Sequence, residues 1–164
     1  MILRSIALAG GFVGAVTTSQ FPEFSQQYLQ RLGGAVDALG EVVADFDVSA
    51  AASDLSREEA LAQLQGTPFL DRRGADMARS ITRHARLSAD LQMLEGQGPF
   101  MRAYHAARFT DREIAQAAWA AYQPAVPVSF AGLSFAGLGF ALGSLGSAGL
   151  VGLLRMPFRR RQRA

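Results

Sequence analysis

Between Val128 and Leu154 the chain runs for 27 residues without a charged side chain. As an α-helix such a stretch is ~40 Å long, against ~30 Å of bilayer hydrocarbon. A chain of 164 residues makes one modest domain, too small to wrap so long an apolar helix in protein. The segment therefore predicts a membrane span, and the rest of the sequence is constrained by it. Phe130, Phe135 and Phe140 step by five residues, about 500° on a helix, so their rings point in different directions and are expected to face lipid.

A second uncharged stretch lies at the other end. Ile2–Thr18 is broken only by Arg4 and contains "SIALAGGFVGAV". It is short for a span, and a cleaved signal peptide has the same look. The region "AVTTSQ" has no good A-x-A cleavage pattern, which favours a retained helix over the signal-peptide alternative. Arg155, Arg159, Arg160, Arg161 and Arg163 follow the second segment and Arg4 stands in the first. By the positive-inside rule both termini are expected in the cytoplasm, with the middle of the chain on the other side.

Small residues in both segments recur at helical spacing. Gly132, Ala136, Gly139, Gly143 and Gly146 share one arc of the long apolar segment, and Ala7, Gly10 and Gly14 share an arc of the first, with Thr17 at its edge. Each segment holds a G-x-x-x-G, Gly10 to Gly14 and Gly139 to Gly143, a spacing that lets helix backbones approach closely in lipid. Gly10, Gly14, Gly132, Gly139, Gly143 and Gly146 are therefore the expected helix-packing residues. "GLGFALG", from Gly137 to Gly143, is no dinucleotide loop: it lacks the third glycine and follows no strand.

The region between is wet and helical. All fourteen acidic residues fall between Glu23 and Glu113, together with ten of the arginines. The pI near 9.7 thus reflects the terminal arginines rather than a nucleic-acid-binding face. Phe21, Phe24, Tyr28, Leu32, Val36, Leu39, Val43 and Phe46 form one apolar stripe of helical period. Pro22 suits the first turn of that helix, and Gly33 and Gly34 suggest a close crossing or a bend. Ser56 with Glu59 reads as a capping box for a short helix ending at Gly66. "TPFLDRRG" opens a longer helix closed by Gly96, with Leu70, Met77, His84 and Leu91 in heptad spacing and Ile81, Leu87 and Leu94 interleaved. Pro99 restarts the chain, and Thr110 with Glu113 reads as a second capping box. The expected seam packs Tyr28, Leu32 and Val36 against Met77, Ile81 and His84.

Chemistry-bearing motifs are scarce. The absence of Cys excludes disulfides and thiol catalysis. His84 and His105 have no second ligand at helical spacing, so neither a metal site nor another cofactor is expected. Neither a nucleophile elbow nor a phosphate loop occurs. Arg72, Arg79, Arg83 and Arg86 share a helical face with Asp76 and Asp90 interleaved. This is either a solvated, internally paired face or a docking strip for an acidic partner or headgroup. Trp119, Tyr122 and Pro124 precede the long apolar segment, where interfacial anchoring is expected.

"SQFPEFSQQYLQRLGGAVDAL", "RGADMARSITRHARL" and "YQPAVPVSFAGLSFAGLGF" together resemble DUF2937, a bacterial family of unknown function. That resemblance implies an inner-membrane protein and transfers no catalytic residue.

The sequence thus predicts an all-α chain, with two transmembrane helices flanking an extramembrane helical hairpin or small bundle. Its expected parts are a first transmembrane helix at 1–20, a periplasmic helical domain at 21–126, a second transmembrane helix at 127–154 and a basic cytoplasmic tail at 155–164. The expected role is non-catalytic, an accessory or scaffold subunit in the inner membrane. Its expected partners are the lipid bilayer and a membrane protein or a further copy of the chain, with no nucleic acid. The alternative is a membrane-anchored sensor or a lipid- or small-ligand-binding module.

Overall fold

A computed structural model describes residues 2–124 and 126–160, with side chains described from Leu3 to Leu154 apart from residue 125. All elements assigned among the described residues are helical: α1 (Ile2–Ser19), α2 (Phe21–Ala51), α3 (Arg57–Gln63), α4 (Pro68–Leu94), α5 (Pro99–Tyr104), a 3-10 turn (Ala106–Arg108), α6 (Arg112–Ala120) and α7 (Phe130–Arg160). The basic tail expected at 155–164 falls outside the described residues beyond Arg160, as do its side chains from Arg155 onward.

The chain divides into two compact units, one of residues 1–26 and 122–164, the other of residues 27–121. The division falls a few residues inside the expected boundaries of 21 and 126, because the first turn of α2 and Tyr122 cluster with the apolar helices. In the first unit α1 and α7 lie antiparallel: Gly10 sits at Gly143 and Ser147, Gly14 at Gly139, and Thr18 at Phe135. Aromatic pairs extend this contact, Phe12 with Phe140 at 5.6 Å and Phe21 with Phe135 at 5.4 Å between ring centres. Two of the three phenylalanines expected to face lipid therefore face helix partners instead, and Phe130 alone of the three is largely exposed. Among the described residues one helix, over Phe130–Leu154, is long and apolar enough to cross a membrane.

The second unit is a helical assembly around α2 and α4. Its core is Tyr28, Leu32, Val43 and Ala50 from α2, Leu87 and Leu94 from α4, and Ile114 and Ala118 from α6. Local chemistry sets the helix ends. Ser56 and Glu59 make the reciprocal capping box of α3. The Ser56 backbone N–H, donating to the Glu59 carboxylate at 2.8 Å, holds that carboxyl below its usual range. Thr67 caps α4, and Pro68 occupies its first turn. Gly66 and Gly96 take positive φ, +99° and +72°, where a side chain would be strained. Arg57 grips Asp47 across the reversal between α2 and α3, with Nε donating at 2.7 Å, and lowers the pKa of that carboxyl.

Three details differ from the sequence reading. A Cβ at Gly33 or Gly34 would meet nothing within 4 Å, so no helix crosses there and α2 runs on unbroken. The glycine that does face a neighbour is Gly40, where a Cβ would lie 3.3 Å from His84 Nε2. The helix capped near residue 110 uses Asp111 rather than Thr110: the Asp111 carboxylate accepts the Ile114 N–H at 3.1 Å, while the Thr110 hydroxyl is taken by Asp90.

Candidate functional site

The α1–α7 contact is built on one ridge from each helix, with residues in steps of four: Gly10, Gly14 and Thr18 against Phe135, Gly139, Gly143 and Ser147. Spacing by four on both sides is the register in which small residues let backbones touch. A Cβ at Gly143 would collide with the carbonyl oxygen of Gly10, and one at Gly10 would stand 2.8 Å from that of Gly143. Thr18 supplies the one polar tie described across the pair, its hydroxyl donating to the Phe135 carbonyl at 2.6 Å and lying 2.9 Å from the Gly14 carbonyl. Thr17, placed at the edge of the arc by the sequence reading, instead donates back to Val13 of its own helix. Gly132 and Gly146 are not part of this ridge. A Cβ at Gly132 would meet Pro127 and Ser129 at the start of α7, and one at Gly146 would meet nothing. Gly132 lies three residues before Phe135 and Gly146 three after Gly143, whereas the contact follows steps of four.

In the second unit the charged residues converge on two buried aspartates. Asp111 is 5% exposed and accepts from Arg83 Nη2 at 3.2 Å, Arg86 Nη2 at 3.1 Å and the Ile114 amide. Asp90 accepts from Thr110 at 2.6 Å and from Arg108 at 3.5 Å. Glu113 adds a second pairing to Arg83 at 2.8 Å. Burial works against the charge of Arg83, but Glu113 and Asp111 outweigh it and raise its pKa above the ordinary arginine value. The Tyr28 hydroxyl accepts the Asp111 N–H at 3.4 Å, and its ring lies 4.5 Å from that of Phe109. Burial, foremost, raises the pKa of this phenol, with the nearby carboxylates adding to the shift.

The four arginines of the expected strip have separate environments. Arg83 and Arg86 bind Asp111, Arg79 pairs with Asp76 one turn earlier, and Arg72 is exposed with no ion pair described. The first two act as clamps between α4 and the start of α6. Arg79, Arg83 and Arg86, with Ala78 and Thr82, still line one open groove of about 420 Å³. The α2 residue that faces His84 is Gly40, not Tyr28, Leu32 or Val36 of the expected seam, and the seam residues differ in burial. Tyr28 and Leu32 are fully buried, whereas Val36, Met77, Ile81 and His84 are half-buried. The buried stripe of α4 is Leu87, Asp90 and Leu94, not the heptad through Leu70, Met77, His84 and Leu91, because α6 and the 3-10 turn add to the core beside its last turns.

A family model described as a protein of unknown function, DUF2937, matches residues 2–160. The chain belongs to this family. No curated protein and no solved structure matches it. The match covers both units, so the glycine ridge and the buried aspartate cluster both lie within the DUF2937 region. Sequence reasoning placed Asp90 only as an acid interleaved with the arginine face, and missed Asp111 and Arg108 in this DUF2937 chain. The one local signal was Asp111 three residues before Ile114, the spacing of a helix N-cap. The partners of Asp90 lie 18 and 20 residues away, and no periodicity points to them.

Proposed function

We propose that the chain is a two-pass inner-membrane protein, in which α1 and α7 cross the bilayer together and hold the α2–α6 region on the periplasmic side. Its role is that of a non-catalytic accessory or scaffold subunit for a membrane partner. The observation that carries this reading is the outer face of the helix pair. Leu133, Leu138, Leu142, Leu145, Leu150, Leu153 and Leu154 are 56–72% exposed, and Leu8, Phe12, Val13 and Val16 of α1 are similarly open. At roughly 1.5–3 kcal/mol for a fully buried leucine, the seven leucines alone would leave roughly 6–13 kcal/mol of transfer free energy unrealised in water. Lipid supplies the missing apolar surroundings. Arg4 and the arginines after Leu154 favour cytoplasmic termini. The non-catalytic reading is supported by the fate of the buried acids: both oxygens of Asp90 and of Asp111 are engaged by donors that tie helices together.

The test is a pair of reporter fusions, one at Ala52 and one after Ala164, using an enzyme active only in the periplasm, with alkaline extraction of membranes beside it. Activity at Ala52 alone and retention in the extracted membrane are expected. Activity only after Ala164 would overturn the orientation, and release from the membrane would overturn the anchoring. Crosslinking in mild detergent then asks for a partner; a chain that remains alone at native expression would remove the scaffold role.

A further inference from the structure

We draw no further inference here: the strongest candidate, the open groove along α4 lined by Arg79, Thr82, Arg83 and Arg86, has its arginines already paired with Asp76, Asp111 and Glu113, and nothing in the structure shows what covers it.

Discussion

Replacing Asp111 by Ala removes a carboxylate that does three things at once. It caps α6, and loss of an N-cap side chain costs ~1 kcal/mol. It also accepts from Arg83 and Arg86, whose side chains are 36% and 53% exposed. Charge-assisted bonds are worth ~1.5–3 kcal/mol when desolvated, but here water, and Glu113 in the case of Arg83, take over the freed donors, which brings each to ~0.5–1 kcal/mol. The sum is ~2–3 kcal/mol, concentrated where α6 meets α4. Local opening should rise by the corresponding ~30- to 150-fold. The assay is amide hydrogen exchange, read by mass spectrometry on peptides covering Arg112–Ala120 in the full chain. Asp111→Asn keeps a cap acceptor and should lose about half as much, on the order of 1 kcal/mol. Glu113→Gln, at a mostly exposed carboxylate, should stay within ~0.5 kcal/mol of wild type. Unchanged exchange of α6 in Asp111→Ala would refute the reasoning: Ile114 and Ala118 would then hold the helix by apolar packing alone.

Leu32→Ala, at a side chain with no exposed surface, should destabilise the second unit by ~2–5 kcal/mol in denaturant melts, whereas Gln27→Ala should change little. Gly143→Ile should push α1 from α7 because its side chain meets the Gly10 backbone, lengthening or broadening the spin–spin distance between labels at Val16 and Leu138; Gly137→Ile, where a Cβ meets nothing, should leave that distance alone. Tyr28 should ionise above the ordinary tyrosine range near ~10, since burial raises its folded pKa. Its contribution is then complete below the unfolded value and lost as pH rises through the folded one. Ultraviolet titration should show a late-ionising tyrosine that vanishes in Tyr28→Phe, and an early, ordinary titration of that tyrosine would count against its burial.

Features that depend on neighbours in sequence were legible before the structure. The capping box at Ser56 and Glu59, the Thr67–Pro68 start of α4 and the positive-φ glycines at 66 and 96 are all decided within a few residues. The all-helical class follows from the same local signals. The apolar stripe through Tyr28 and Leu32 was also readable, because side-chain period on one helix reports which side is turned inward. The cap at residue 110 was misplaced by one position because both Thr110 and Asp111 can serve as caps. The choice between them was made by Asp90, which takes the threonine hydroxyl.

By itself, then, the sequence determined the helices, the uncharged 27-residue segment and the presence of small residues on one arc of it. Tertiary structure alone decided which of those residues meet. An arc defined by spacing is tens of degrees wide, and Gly139, Gly143 and Gly146 all fit within it. Two packed helices touch along ridges, and the ridge of four-residue steps admits Gly139 and Gly143 while leaving Gly146 aside. The Thr18–Phe135 bond closes 117 residues of chain, and the Asp111 cluster draws on α2, α4 and α6 together. Those choices depend on volumes and donors that come near one another only after the chain has folded, so no local pattern encodes them.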